Sequence, residues 1–201
     1  MTGRPEADSI PAILLAAGVS ERFEGETPKQ LVEVEGEPMV RRIARRLLES
    51  RLGEVIVVTG FEVAAIGEVL RDLPLRLVHN PAFRQGQSTS VVVGLQALSS
   101  EAEAACFVPC DQPLLDVATL NLLAEARRDE DQVVVPVHAG KRGAPVIFPR
   151  SFFADLSALS GDEGGRRLFG GASILEVELE SADPLFDVDT KEDLRQMQAR
   201  L

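Results

Sequence analysis

The chain has 201 residues, of which 45% are hydrophobic and 26% are charged. Those values are typical of a single soluble α/β domain with a sizeable core, and they argue against wholesale disorder. The formal net charge of −11 disfavours nucleic acid and anionic membranes as partners, but it leaves room for a small anion held by backbone amides, single cations or a metal ion.

No apolar run approaches the ~20 residues that a membrane span needs, and the apolar stretch near the start is too short for a complete signal peptide. We therefore expect a cytoplasmic protein, with a flexible tail at residues 1–8 and one domain at residues 9–201. Cys106 and Cys110 belong to one predicted strand and have no zinc-spaced partners, which predicts buried thiols in a reducing compartment.

Strands and helices alternate through the first part of the chain. Apolar runs that do not alternate predict buried strands, and apolar residues at helical spacing predict the helices between them. A long polar loop is expected between the first strand and the first helix. The predicted strands are 10–15, 54–59, 75–78 and one from residue 104 that ends within 109–113; the predicted helices begin at Pro38, span 63–73, begin at Ser88 or Thr89, and span about 117–128.

The pattern changes after the fourth helix. Segments 133–137 and 144–148 flank a polar turn and predict a hairpin or a pair of neighbouring strands. A helix over 151–159, a strand over 174–179 and a helix from Lys191 complete the chain. We predict a mostly parallel, doubly wound sheet with an antiparallel element in the second half, and such sheets bind ligands at the carboxyl ends of their strands.

The loop after the first strand combines small residues with two cations. Small residues let backbone N–H groups approach a polyphosphate, and Arg and Lys supply charge. The loop matches neither the Walker A nor the Gly-x-Gly-x-x-Gly pattern, so a phosphate site and an ordinary turn both fit its spacing. The residues concerned are Leu15, Ala16, Ala17, Gly18, Ser20, Arg22 and Lys29.

Carboxylates stand at two other loops. Asp111 ends the fourth strand and could hold Mg²⁺ against triphosphate oxygens, or it could make a turn before Pro113. Asp187 and Asp189 offer a second metal ligand, but Asp189 or Thr190 could equally cap the last helix.

Two glycine-containing loops are open to both functional and structural interpretations. Residues 86–90 open a helix with N–H groups and hydroxyls that suit either a ligand or simple capping. Residues 161–166 form either a mobile substrate loop or a surface connection. His79 and His138 are the only histidines, and no Ser/His/Asp arrangement is indicated.

Taken in chain order, these segments resemble the MobA-like nucleotidyltransferase family, and within it the molybdenum cofactor cytidylyltransferase branch. The similarity runs from Ile10 to the C-terminus. The motifs that carry it are Leu15-Ala16-Ala17-Gly18-Val19-Ser20-Glu21-Arg22 with Lys29, Asn80-Pro81 through Gly86, Ser88 and Gly94-Leu95, Asp111-Gln112-Pro113, Gly161-Asp162-x-Gly164-x-Arg166, and Asp187-Val188-Asp189-Thr190 with Glu192-Asp193.

The resemblance implies a Rossmann-like enzyme that transfers CMP from CTP to the phosphate of molybdopterin or a related acceptor, with Mg²⁺ on Asp111 and Asp189. A molybdoenzyme or its chaperone is a candidate partner. The implied catalytic residues are Lys29, Arg22 and Asp111. The implied nucleotide-binding residues are Leu15, Ala16, Ala17, Gly18, Ser20, Arg22, Lys29, Gly86, Ser88 and Ser90. The implied acceptor-binding residues are Gly143, Ala144, Pro145, Gly161, Asp162, Gly164 and Arg166.

Some residues depart from the pattern of that branch or resemble other members. Ala144 stands where the branch usually carries His, whereas Ala17 favours the cytidylyl over the guanylyl members. Residues 28–31 also resemble the methylerythritol phosphate cytidylyltransferases. The alternatives are a guanylyltransferase for the same cofactor, a cytidylyltransferase for a sugar phosphate or isoprenoid precursor, and a non-catalytic nucleotide-binding cofactor chaperone.

Overall fold

The structure is a computed structural model that describes residues 10–19, 23 and 27–200. The expected tail at residues 1–8 lies outside the described residues, as do Ser20 and Arg22 of the loop after the first strand. The described chain folds around one large sheet that separates two apolar clusters. Within these ranges no helix has the length and apolar character required to cross a membrane.

The described residues form ten strands and six α-helices, joined by short 3-10 turns. The strands are β1 (Ala12–Ala16), β2 (Glu33–Val34), β3 (Glu37–Pro38), β4 (Val55–Thr59), β5 (Arg76–His79), β6 (Ala104–Pro109), β7 (Val133–His138), β8 (Lys141–Arg142), β9 (Val146–Pro149) and β10 (Ile174–Glu178). The helices are α1 (Met39–Glu49), α2 (Val63–Leu70), α3 (Gln87–Gln96), α4 (Val117–Ala126), α5 (Phe153–Ser157) and α6 (Lys191–Gln198).

The large sheet has the strand order β10-β7-β9-β6-β1-β4-β5, with the short β8 attached to β7. Strands β1, β4, β5 and β6 are parallel, whereas β9 is antiparallel to both of its neighbours, β6 and β7. Strand β10 runs parallel to β7. The prediction of a mostly parallel sheet with an antiparallel element is confirmed, because segments 133–137 and 144–148 form the β7–β9 pair.

The central strands are apolar on both faces because helices cover both sides of the sheet. Leu14 of β1 packs into a cluster with the apolar residues of α1, α4 and α6, whereas its neighbour Ile13 packs on the opposite side with Val91 of α3 and Leu156 of α5. Successive residues of a strand point to opposite faces, so a strand that is covered twice shows a continuous apolar run. The sheet is therefore doubly wound, as predicted.

The strand order places a topological switch point between β1 and β6. From β1 the chain moves outward to β4 and β5 and then returns across the sheet to β6, on the other side of β1. Connections that leave β1 and β6 in opposite directions open a crevice outside the carboxyl ends of these two strands. The loop after β1 and Asp111 after β6 both lie at this crevice.

Within the segment between β1 and α1, residues 27–38 are more structured than the long polar loop that we predict there. A 3-10 turn spans Lys29–Leu31, and β2 and β3 form a small antiparallel hairpin closed by Glu35 and Gly36, both at positive φ. Strands of two residues are too short to produce a periodic signal in the sequence. The backbone N–H of Met39 donates to the carbonyl of Val32 at 2.9 Å and fixes this segment against α1.

Both cysteines are free and buried, which confirms the prediction of buried thiols. Cys106 lies in β6, but Cys110 lies one residue beyond the end of that strand rather than within it. Burial raises the pKa of Cys106 from 9.0 to about 12. The pKa of Cys110 is also raised, by burial and then by the negative charge of Asp111.

We expect both thiols to react with a disulfide reagent at pH 8 at least about a hundredfold more slowly in the native protein than in guanidinium, because buried thiols form little thiolate. The measurement is thiolate release followed over time, with the labelled peptides identified by mass spectrometry. Rapid labelling of either cysteine in the native state would show that the segment around it opens readily.

Candidate active site

Two adjoining cavities lie at the carboxyl edge of the sheet. The first has a volume of about 710 Å³ and the second of about 480 Å³. Their shared boundary consists of Leu15, Gln87, Pro109, Asp111 and Asp189. The first is also lined by Ala17, Gly18, Val19, Lys29, Gln30, Phe83, Arg84, Gly86, Ser90, Cys110 and Asp162. The second is also lined by Val91, Phe107, Gln112, Ala144, Val146, Phe148, Leu156, Gly164, Gly165, Arg166 and Asp187.

The backbone after β1 forms one wall of the first cavity. Leu15, Ala17 and Gly18 line it, whereas Ala16 is buried and does not. The side chain of Gln30 donates from Nε2 to the carbonyl oxygen of Gly18 at 2.5 Å, which ties the loop to the 3-10 turn that carries Lys29. Gly18 is thus held in place by the 3-10 turn that follows it in the chain.

A lysine between two carboxylates lies where the two cavities meet. Lys29 Nζ donates to Asp111 Oδ2 at 3.0 Å and to Asp189 Oδ1 at 3.1 Å. The lysine side chain is only 11% exposed. Burial alone would lower the pKa of Lys29, but the charges and hydrogen bonds of Asp111 and Asp189 outweigh it and raise the pKa above its usual value. Lys29 is therefore a fixed ammonium at this junction.

Asp187 and Asp189 reach the cavities because the segment before α6 is extended around a buried residue. Val188 is fully buried, and its N–H donates to the carbonyl oxygen of Asp111 at 2.8 Å. Alternate residues of an extended segment point to opposite sides, so Asp187 and Asp189 face the cavities together. Thr190 caps α6 in a capping box with Asp193, which decides between the two predicted caps in favour of Thr190.

Asp187 belongs to the second cavity rather than to the lysine cluster. Its Oδ1 accepts from Gln112 Nε2 at 2.9 Å. The pKa of Asp187 is raised, first by burial against the cavity wall and then by the negative charge of Asp111, while the hydrogen bond from Gln112 lowers it in part. The other side-chain atom of Gln112, Oε1, is buried and has no hydrogen-bond partner in the structure.

The start of α3 is organised by a buried asparagine and by the glycine-rich loop. Asn80 donates from Nδ2 to Thr89 Oγ1 and Ser90 Oγ, both at 2.9 Å. Of the three residues here that we predict to bind nucleotide, Gly86 and Ser90 line the first cavity, but Ser88 is 2% exposed and lines neither cavity. The N–H of Ser88 donates instead to the carbonyl oxygen of Gly161 at 3.1 Å.

The predicted acceptor-binding residues divide into three groups. Ala144, Gly164 and Arg166 line the second cavity, and Asp162 lines the first. Gly143, Pro145 and Gly161 line neither of them. A Cβ on Gly143 would lie 2.7 Å from a methyl carbon of Leu185, which shows that this glycine serves packing. The loop from Gly161 to Arg166 therefore runs along both cavities instead of forming only a surface connection.

Sequence reasoning missed several residues of the lining. Gln30 and Gln112 stand next to Lys29 and Asp111 in the motifs, so their position was a usable signal. Arg84 precedes Gly86 in the loop before α3 and could have been included on the same ground. Phe107 and Phe148 form an apolar floor with edge-to-face rings 5.9 Å apart, and no local pattern predicts which strand face borders a cavity.

Asp111 and Asp189 are the two carboxylates at the junction that are candidate ligands for a divalent cation. Across the described ranges, no three His, Cys, Asp or Glu residues are arranged as a complete metal site. Mg²⁺, however, is usually held by one or two carboxylates together with substrate phosphates. Asp111 and Asp189 both bind the ammonium of Lys29, so the two carboxylates face the same point at the junction.

Comparisons with known proteins identify the family of this chain. A family model described as the MobA-like NTP transferase domain matches residues 12–178. The molybdenum cofactor cytidylyltransferase of Escherichia coli (strain K12) is 26% identical over 92% of this chain and 93% of that protein. The purine catabolism protein PucB of Bacillus subtilis (strain 168) is 30% identical over 90% of this chain and 92% of that protein.

Solved structures share the fold. Rv0371c of Mycobacterium tuberculosis H37Rv has a TM-score of 0.85 at 25% identity, over 96% of this chain and 99% of that one, and it has also been solved in complex with manganese. The matched family model begins at the first residue of β1 and ends at the last residue of β10, so it includes Lys29 and Asp111. The chain therefore belongs to the MobA-like NTP transferase family of nucleotidyltransferases.

Proposed function

We propose that this nucleotidyltransferase transfers CMP from CTP to the phosphate of molybdopterin or a closely related acceptor, with Mg²⁺ as cofactor and pyrophosphate as the second product. The observation that carries the proposal is the cluster of Lys29, Asp111 and Asp189 at the boundary between two cavities. A group-transfer enzyme needs its cationic and metal-binding side chains where donor and acceptor meet.

The first cavity suits the nucleoside triphosphate. Its volume of about 710 Å³ is in the range of nucleotide-sized sites. The small residues Ala17 and Gly18 let the backbone come close to phosphates, and Lys29 and Arg84 bring positive charge to a protein that is acidic overall. Ser20 and Arg22, which lie outside the described residues, complete this phosphate-binding loop in the proposal.

The second cavity suits a flat, partly apolar acceptor. Its lining combines Phe107, Phe148 and aliphatic side chains with a group of polar side chains, among which Arg166 provides the cation. An aromatic floor favours a heterocycle such as a pterin, because sugar phosphates offer hydroxyl groups that need many polar partners. Ala144 also lines this cavity, in the place where the cytidylyltransferase branch carries His.

The transfer is a direct displacement at phosphorus. An oxygen of the acceptor phosphate attacks the α-phosphorus of CTP, and the bond to the oxygen that leads to the β-phosphorus breaks, which releases pyrophosphate. Such reactions need positioning and charge neutralisation rather than a protein nucleophile. Lys29 holds a positive charge beside the reacting phosphates, and Asp111 and Asp189 would hold Mg²⁺, which when bound neutralises phosphate charge as a Lewis acid.

Cytosine as the base is supported by the relatives. The Escherichia coli protein that matches over nearly the full length of both chains is a molybdenum cofactor cytidylyltransferase. Ala17 stands at the loop position that separates the cytidylyl members, which it resembles, from the guanylyl members. The base would lie in the part of the first cavity that is lined by Phe83 and Gly86, away from the lysine cluster.

We expect CTP with Mg²⁺ to raise the melting temperature more than GTP, ATP or UTP does. A ligand at ~100 times its Kd stabilises the folded state by about 2.7 kcal/mol, which a thermal scan resolves. The companion assay is pyrophosphate release from CTP with molybdopterin, compared with a sugar phosphate and with methylerythritol phosphate. Preference for GTP, turnover of another acceptor, or tight CTP binding without turnover on any of them would each overturn the proposal.

A further inference from the structure

Four arginines on α1 fall into two pairs with different partners. Arg41 and Arg45 face outward and pair with surface carboxylates, for example Arg41 with Asp72 at 2.6 Å. Arg42 and Arg46 instead point toward the segment that follows Asp111. Both donate to the same atom, the carbonyl oxygen of Pro113.

The inward pair is held in a specific geometry. Arg42 is 8% exposed; it donates from Nε to Pro113 O at 3.2 Å and from Nη2 to Glu35 Oε2 at 2.8 Å. Arg46 donates from Nη1 to Pro113 O at 2.6 Å and to Leu115 O at 2.5 Å. Burial and then the neighbouring charge of Arg42 lower the pKa of Arg46.

Placing two guanidinium groups next to each other, with Arg42 buried and Arg46 half-buried, is costly. Burying a charge requires compensating hydrogen bonds, and like charges repel. A carbonyl oxygen in a loop could be satisfied by water or by a neutral donor instead. The arrangement therefore needs an explanation beyond satisfying the carbonyls of Pro113 and Leu115.

Arg42 connects the two segments that carry the active-site cluster. On one side its partner is Glu35, in the hairpin that directly follows the 3-10 turn of Lys29. On the other side its partner is Pro113, two residues after Asp111. Lys29 and Asp111 meet at 3.0 Å although they are 82 residues apart in the sequence. A planar guanidinium with donors on two edges is suited to bridge two segments in this way.

We propose that Arg42, assisted by Arg46, is a positioning residue that fixes Asp111 relative to Lys29 for the transfer reaction. Neither arginine lines either cavity, so neither contacts the substrates. The inference rests on the proposed function for the roles of Lys29 and Asp111. The two arginines act through the backbone that follows Asp111, because they bind its carbonyl oxygens at Pro113 and Leu115 and so hold it against α1.

The test compares Arg42→Lys and Arg46→Lys with the control Arg41→Lys. Arg41 is a matched control because it lies on the same helix and also bridges a carbonyl oxygen, that of Val69, and a carboxylate, that of Asp72. Lysine keeps the charge but cannot reproduce the two-sided contact. Two quantities are measured in the full chain: the labelling rates of both thiols, and kcat together with the Kd for CTP without metal.

Cys110 reports on the held segment, whereas Cys106 reports on the fold as a whole because it lies in β6. In Arg42→Lys and Arg46→Lys we expect Cys110 to label about tenfold faster with Cys106 unchanged. We also expect kcat to fall by about tenfold or more while the Kd for CTP stays within about threefold, because a small displacement of a catalytic group slows the reaction strongly. Arg41→Lys is expected to match the wild type in every measurement.

Equal acceleration of both cysteines would mean that the arginines only stabilise the fold, and it would overturn the inference. Unchanged labelling of Cys110 in both variants would overturn it as well. A wild-type protein without transferase activity would contradict the proposed function instead, and the labelling rates would still decide whether Arg42 and Arg46 hold the segment that carries Asp111.

Discussion

Replacing Lys29 by methionine is expected to lower kcat for nucleotidyl transfer by about 100- to 1000-fold, the range found when one fixed electrostatic donor is removed from an active site. The ammonium lies 3.0 Å from Asp111 Oδ2 and 3.1 Å from Asp189 Oδ1, and methionine keeps most of the side-chain volume without the charge. Pyrophosphate release under saturating CTP, acceptor and Mg²⁺ is the measurement.

Lys141→Met serves as the control for this prediction, because Lys141 is an exposed lysine of β8, away from both cavities. It should retain wild-type kcat. Asp111→Asn should lower kcat to a similar extent, since it removes the charge of the carboxylate that pairs with Lys29. If Lys29→Met kept kcat within about threefold of the wild type, the role assigned to Lys29 would be wrong.

Gly86→Ala is expected to destabilise the protein by about 2–6 kcal/mol, from about 1–3 kcal/mol of backbone strain and about 1–3 kcal/mol of overpacking. Gly86 has φ +115°, which L side chains rarely adopt, and a Cβ built there would lie 2.2 Å from the carbonyl carbon and oxygen of Gly161. The loop that borders both cavities would have to move away. Urea unfolding measures the loss of stability, and calorimetry with CTP measures the loss of affinity that we expect to accompany it.

Gly140→Ala separates strain from steric conflict. Gly140 also has a positive φ, +74°, but a Cβ there has nothing within 4 Å. It lies in the turn between β7 and β8, away from both cavities. We expect a loss of only about 1–2 kcal/mol, with CTP affinity unchanged. If the two substitutions lowered stability and CTP affinity equally, the steric conflict with Gly161 would add nothing to the effect of Gly86→Ala.

The parts of the fold that sequence predicted are those in which a local pattern reflects the final environment. The apolar runs of β1 and β4 do not alternate because helices cover both faces of the sheet, so the run itself indicates a buried strand. The β2–β3 hairpin was missed because each of its strands has two residues. The burial of Arg42 was also unpredictable, since an arginine among polar residues of an amphipathic helix usually faces solvent.

The candidate site was predictable where its residues lie on loops that follow the ends of strands. The sequence predicts functional roles for Lys29 and Asp111, and the parallel neighbours β1 and β6 bring their segments together. The different places of Ser88 and Ser90 were not predictable, because the N–H of Ser88 is taken by Gly161, more than 70 residues later in the chain. Contacts of this kind depend on how distant loops pack, and no local sequence pattern records them.

The antiparallel strand β9, inserted between β6 and β7, contributes to only one of the two cavities. It supplies Val146 and Phe148 to the second cavity and nothing to the first. The loop after β1 and the turn of Lys29 belong to the other half of the sheet. If the cavities hold the substrates as proposed, substitutions on β9 would change which acceptor fits without disturbing the triphosphate half, and the same chemistry would then serve a different second substrate.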